Sequence, residues 1–282
     1  MRTLLTESAS TATASSENDA LTERVRATWT SGDFGRIAKG YERGAAEFIA
    51  RLGFSAEDRV LDVASGTGNL TLPAARTGAT VVGIDIAPSL VAQAQVRAVS
   101  EGLVVDFEVG NAESIRYDDD VFDASVTMFG AMFAARPDRA AAELLRVTKS
   151  GGRIAMANWT PTGFIGQMLK ATAKYVPAPI GVPSPLLWGT DDAVQERLSA
   201  GLSSLLLTRR LITFEYPFSP EETVDLFRLW YGPTLKAFAN LDEAGRTGLR
   251  DDLVRLWSDH NLAVDGTTRV HSEYLEVIGV VR

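Results

Sequence analysis

The spacing of apolar positions divides the chain into three regimes. From Leu21 to Leu52, the residues Val25, Trp29, Ile37, Tyr41, Phe48 and Ile49 recur at helical spacing, broken once at Ser31-Gly32-Asp33. This pattern predicts an N-terminal helical lid over residues 19–52. Between residues 53 and 160, short apolar runs alternate with amphipathic ones. Val60–Ala64, Thr80–Asp85, Val104–Val109, Phe122–Phe129 and Arg153–Trp159 predict five strands. Leu70–Arg76, Pro88–Ser100 and Pro137–Thr148 predict helices between them, with Pro73 in a first turn and Gly151-Gly152 as a stop. This alternation predicts βαβ units and a parallel sheet. After Trp159 the rhythm changes. Residues 161–205 interleave proline and glycine with aromatics and predict a cap insertion. Over 206–282, Leu206–Phe218 and His271–Val281 read as strands, and 220–231 and 234–260 as helical. The last strand is apolar on both faces and so belongs inside a sheet. Residues 1–18, rich in Ser, Thr and Ala, predict a disordered tail.

Composition narrows the function classes. With 282 residues and 45% hydrophobic content, the chain holds one large α/β domain, or a core plus a cap. No apolar run approaches the roughly 20 residues that span a bilayer, and the N-terminus lacks a signal-peptide core; a cytoplasmic protein is expected. The chain has no cysteine, which excludes disulfides and thiolate chemistry. Its histidines are His260 and His271, too few for a multi-histidine centre, and no metal is expected. A net charge of −8, with Arg209-Arg210 the densest basic pair, argues against nucleic acid or anionic membrane as partner.

Candidate chemistry gathers at the ends of the predicted strands. Val60-Leu61-Asp62-Val63-Ala64-Ser65-Gly66-Thr67-Gly68 runs from a strand into a glycine turn, where backbone can approach a ligand and the next helix offers free N–H groups. Asp85 ends the second strand, where a carboxylate accepts from a ribose diol. Gly110-Asn111-Ala112-Glu113 follows the third strand, where a short polar side chain reads an adenine edge. A dinucleotide fingerprint needs a third glycine, but Thr71 stands at that position. Asp62 is out of place beside a pyrophosphate and in place beside a cationic amino-acid end. A nicotinamide-dependent oxidoreductase is therefore the weaker reading.

These motifs resemble the class I S-adenosylmethionine-dependent methyltransferases, and within them the menaquinone/ubiquinone-methyltransferase-like group. The resemblance covers roughly residues 25–165. "VLDVASGTGN" is similar to the first family motif, with Ala64-Ser65 replacing a more usual glycine-cysteine pair; "GIDIAP" is similar to the acidic second motif. "GNAE" is similar to the third, with Asn111 where Asp is common, and "FDASVTMFGAMFA" to the fourth strand and its continuation. The resemblance implies an α/β fold: a seven-stranded, mostly parallel, Rossmann-like sheet with helices on both faces, an antiparallel last strand and a helical lid and cap. It implies S-adenosyl-L-methionine as cofactor. Asp62, Ala64, Gly66 and Gly68 would line its methionine end. Asp85 would bind the ribose, Ile86 would pack on the adenine, and Asn111, Ala112 and Glu113 would border the base. Met128 and Phe129 would lie near the sulfonium. A member using the cofactor only as a scaffold for cyclisation, or as a binding module, is the alternative.

The acceptor side is less constrained. Trp29, Phe34 and Tyr41, with Trp159, Phe164, Met168, Trp188, Trp230 and Tyr231, suggest an apolar, aromatic small-molecule acceptor, for attack through O, N or C. His271 begins the last strand. If that strand runs antiparallel, its start lies at the cofactor edge, where an imidazole would act as general base. The competing reading is a histidine bonded to a cap loop. His260, near a helix end, reads as structural.

Overall fold

A computed structural model of the protein describes residues 20–177 and 182–282. Residues 1–18, expected as a tail, lie outside the described residues. The chain is helical over 20–30 (α1), followed by α2 (Phe34–Ala38) and α3 (Glu42–Leu52). Then come β1 (Arg59–Val63), α4 (Thr71–Ala75), β2 (Thr80–Asp85), α5 (Pro88–Ser100), β3 (Asp106–Val109), β4 (Phe122–Met128), α6 (Pro137–Val147) and β5 (Thr148–Trp159). The remainder is α7 (Phe164–Tyr175), α8 (Asp191–Leu198), β6 (Leu202–Tyr216), α9 (Pro220–Trp230), α10 (Gly232–Ala239), α11 (Glu243–His260) and β7 (Thr268–Val281).

The seven strands form one sheet in the order β3-β2-β1-β4-β5-β7-β6. Strands β1 to β5 pair in parallel, and β7 runs antiparallel to both β5 and β6. Only β7 therefore opposes the rest. The central strand β1 is buried throughout Val60–Val63, as a parallel strand covered on both faces must be. Helix α6 shows the complementary pattern: Ala140, Ala141, Leu144 and Val147 face inward at helical spacing. Pro220 stands at the first turn of α9, whose start is fixed by a capping box between Ser219 and Glu222. The strand order reverses between β1 and β4, so a crevice opens beyond their carboxyl ends.

The boundaries differ from expectation where pairing overrides local pattern. Strand β6 starts at Leu202 and β7 at Thr268, because each extends the other along a long antiparallel ladder. Strand β3 starts only at Asp106; Val104 is almost fully exposed. Among the described residues, no helix is long and apolar enough to cross a membrane.

Candidate active site

The turn after β1 is built around one carboxylate. Ser65 N–H donates to Ile84 O at 2.9 Å, aligning the turn with β2. Asp85 Oδ2 accepts from Gly66 N–H at 2.8 Å and Oδ1 accepts from Ala87 N–H at 2.9 Å. Burial pushes the Asp85 carboxyl up, and these backbone donors pull it back. Gly66 has φ +54°, left-handed backbone that glycine enters without strain. Ala64 and Phe129 adopt the same region, at φ +60° and +59°, without that freedom. Strained backbone thus sits at the ends of two adjacent strands, β1 and β4, as it does at ligand sites. From outside, Arg97 donates to Thr67 O and Asn69 Oδ1, both at 2.8 Å, and pairs with Glu42. Asn69 in turn donates to Ala38 O. The turn is therefore fastened to the N-terminal helices.

Three adjoining spaces that share wall residues lie at this edge. The largest, about 700 Å³, is lined by Ala64, Gly66, Asp85, Ile86, Leu90, Gly110, Asn111, Ala112, Glu113, Met128 and Phe129, with Thr22, Val25 and Trp29 of α1. A recess of about 330 Å³ continues past Gly66 and Met128, between Asp62, Ser65, Thr67 and Asn69 on one side and Phe34 and Tyr41 on the other. Asp62 is fully buried and held by Thr71 Oγ1 at 2.5 Å. Burial, reinforced by the nearby Asp85 charge, pushes its carboxyl up to about 7 against that hydrogen bond. The third space, about 310 Å³, is aromatic: Trp29, Phe34, Tyr41, Phe129, Phe133, Trp159, Phe214, Phe227 and Tyr231, with Ile37, Ile165 and Met168. Phe129 stacks on Trp159 at 3.4 Å between centroids and stands between the first and third spaces.

Comparisons with known proteins bear on the family and the fold. The methyltransferase domain family matches residues 61–156. An uncharacterized protein of Mycobacterium tuberculosis, Rv1403c, is 36% identical over 234 residues, covering 82% of this chain and 85% of that protein. A demethylmenaquinone methyltransferase of Thermus thermophilus is 39% identical over 108 residues, 38% of this chain and 49% of that one. The chain belongs to the class I S-adenosylmethionine-dependent methyltransferases. In fold, the methyltransferase is similar to the YcgJ protein from Bacillus subtilis, at TM-score 0.60 and 19% identity, over 85% of this chain and 98% of that one.

The residues present fit S-adenosylmethionine, the cofactor of this methyltransferase. The Ser65 hydroxyl is buried in the recess wall without a hydrogen-bond partner, an open position for a ligand atom. Asp62 is an acid that burial alone disfavours, and a cationic amino-acid end beside it would relieve that cost. The Asp85 carboxylate uses one lone pair on each oxygen for the turn and keeps the others toward the cavity.

Of the residues expected to bind the cofactor or to act as base, most line these spaces, but two do not. Gly68, expected at the methionine end, lines none of the three. Its φ is +88°, and a Cβ there would run into Leu72 at 3.2 Å and Phe107 at 3.4 Å. It serves the turn from the core side. His271 is exposed, and its Nδ1 lies 2.9 Å from Thr213 Oγ1. In the ladder His271 faces Thr213, one residue before the cavity-lining Phe214, so alternation turns its side chain to the other side of the sheet. The start of β7 does lie at the cofactor edge, but its histidine points away. Glu113 lines the cavity while its carboxylate accepts from Arg136 N at 2.9 Å and Nε at 2.5 Å. Arg136 also donates to Thr22 Oγ1 at 2.9 Å, joining this loop to α1. Asn111 Oδ1 accepts from Glu113 N–H, which leaves its amide N–H₂ for the cavity. Of the aromatics, Phe164 packs on Trp257, and Trp188 is buried core. Trp230 lies under Arg36. Sequence reasoning missed Phe214 and Phe227, for which no local motif exists, Phe133, which lay inside the fourth motif, and the orphan hydroxyl of Ser65, which lay inside the first.

Proposed function

We propose that the protein transfers a methyl group from S-adenosylmethionine to a small, apolar, ring-containing acceptor held in the aromatic space. The observation that supports this reading is that the aromatic space adjoins the cofactor cleft and its recess, sharing Phe34, Tyr41 and Phe129 as wall residues. In this reading Asp62, Ser65, Ala64 and Gly66 hold the amino-acid end and Asp85 holds the ribose diol. Ile86, Asn111 and Ala112 border the base, and Glu113 acts through Arg136. When bound, the cofactor supplies a methyl group on a positively charged sulfur, whose S–CH₃ bond breaks as the acceptor bond forms, the electron pair staying on sulfur. The protein's part is alignment and exclusion of water. Rings of Tyr41 and Phe129 beside the sulfur favour its positive charge. The net charge of −8 and the apolar lining support a small neutral acceptor over nucleic acid.

The test is turnover with S-adenosylmethionine and matched panels of ring and open-chain compounds, read by mass spectrometry for S-adenosylhomocysteine and methylated product. Methylation confined to ring compounds, and lost in Trp159→Ala, supports the reading. Acceptor conversion without S-adenosylhomocysteine, as in a cofactor-scaffold cyclase, would overturn it.

A further inference from the structure

The aromatic space holds two polar atoms that the fold itself does not use. Its lining is otherwise hydrocarbon and ring surface, with the hydroxyls of Tyr41 and Tyr231 the exceptions among its hydrogen-bonding side chains of ordinary strength, apart from indole N–H groups. Tyr41 comes from the turn before α3 and Tyr231 from the junction of α9 and α10, so opposite walls contribute one hydroxyl each. Both side chains are buried, at 5% and 4% exposure. Neither hydroxyl makes a hydrogen bond within the protein among the described residues, whereas the neighbouring Tyr216 donates to Ile37 O at 2.8 Å and Tyr274 accepts from Arg51 at 2.8 Å. Each hydroxyl is therefore left free to donate to a molecule held in the space. Tyr41 also lines the recess beside Asp62, which places it where the cofactor recess meets the aromatic space.

Resting on the methyl-transfer reading above, we propose that Tyr41 and Tyr231 are specificity-determining residues that together read one oxygen of the acceptor, a carbonyl or enolate oxygen on an otherwise apolar ring frame. Both phenols are driven upward, Tyr41 by burial and then by Tyr231, Glu42 and Asp62, and Tyr231 by burial. They remain protonated donors at neutral pH, and two free donors lining one apolar space favour a ligand that carries an acceptor oxygen. The groups facing Tyr41 from neighbouring elements are Asp62 on β1, Glu42 on α3, Tyr216 on β6 and Tyr231. None is a base within the aromatic space, and His271 lies on the other side of the sheet. The pair thus orients the acceptor and does not deprotonate it.

Binding of two probes with the same ring frame tests this without requiring the natural acceptor. 1-Tetralone carries a carbonyl oxygen; tetralin lacks it. Each is titrated by ligand-observed NMR against wild type saturated with S-adenosylhomocysteine. Without a hydrogen bond, desolvation of the carbonyl makes the ketone the weaker ligand. With the hydroxyl pair, 1-tetralone is expected to bind wild type about tenfold more tightly than tetralin, the worth of one good hydrogen bond. Tyr41→Phe and Tyr231→Phe should each reduce that preference, and the double variant should reverse it, with tetralin affinity unchanged. Equal affinities in wild type, or a preference that survives the double variant, would overturn the tyrosine assignment and leave the acceptor-cavity reading standing. Unchanged affinity of both probes for Trp159→Ala, or no binding of either to wild type, would overturn the cavity reading and this proposal with it.

Discussion

Replacing Asp85 probes the hinge of the whole site. Its carboxylate does two jobs: it ties Gly66 N–H at 2.8 Å and Ala87 N–H at 2.9 Å, and it presents its remaining lone pairs to the cavity. In the proposed reading, Asp85→Ala would remove two ribose hydrogen bonds to a charged acceptor, each worth roughly 1.5–3 kcal/mol. The sum, about 3–6 kcal/mol, predicts a loss in S-adenosylhomocysteine affinity of about 10²–10⁴-fold. The same change leaves two buried backbone N–H groups without their acceptor, so stability falls by about 2 kcal/mol. For a chain of this size that lowers Tm by roughly 5 °C. Asp85→Asn separates the two effects, because its amide keeps one acceptor oxygen and the side-chain shape. It is expected to lose about 10–100-fold in affinity with a smaller drop in Tm. The assay is calorimetric titration well below the melting transition, with Tm measured in parallel. A folded Asp85→Ala protein that binds S-adenosylhomocysteine within threefold of wild type would refute the reasoning.

Three other outcomes follow from particular contacts. Because burial pushes Asp62 up to about 7, the empty protein holds a proton there below neutrality, and a ligand ammonium favours its loss. S-adenosylhomocysteine affinity should therefore rise with pH toward 7 and level off above it, and Asp62→Asn should flatten the curve. The same raised acid stabilises the empty fold below the unfolded carboxylate range and loses that contribution as pH rises through about 7, a slope also removed in Asp62→Asn. Gly130→Ala would set a Cβ 2.5 Å from Ala64 Cβ and 2.8 Å from Ala64 O; it should cost about 1–3 kcal/mol in melting experiments, with partial rescue by Ala64→Gly. His271→Ala should leave the single-turnover rate within about threefold of wild type, a barrier change of roughly 0.65 kcal/mol, since its imidazole lies on the other side of the sheet; a loss of about 10²-fold or more would return it to the mechanism.

What the sequence disclosed was local. Gly66, Asp85 and Asn111 each close a strand within a few residues of its apolar run, so strand, turn and polar residue could be read together. The parallel strands were legible from the same alternation of runs, while the seven-stranded sheet with its antiparallel strand was implied by the family resemblance. The wall of the aromatic space was not legible in that way. Phe214 and Phe227 reach it from β6 and α9, far along the chain from Trp29 and Phe34, and only the folded sheet brings them together. His271 shows how a small error propagates: the strand begins at Thr268, and pairing with Thr213 instead of Phe214 decides the face on which the imidazole lies. Gly68 was recognised as a turn glycine, but its Cβ direction, toward Leu72 and Phe107, needed coordinates.

The most direct test of the account is a crystal structure of the protein with S-adenosylhomocysteine. The account predicts the ribose hydroxyls on the Asp85 carboxylate, the amino-acid end in the recess of Asp62 and Ser65, and the sulfur beside Tyr41 and Phe129. A ligand bound elsewhere, or bound there with its ribose away from Asp85, would contradict it.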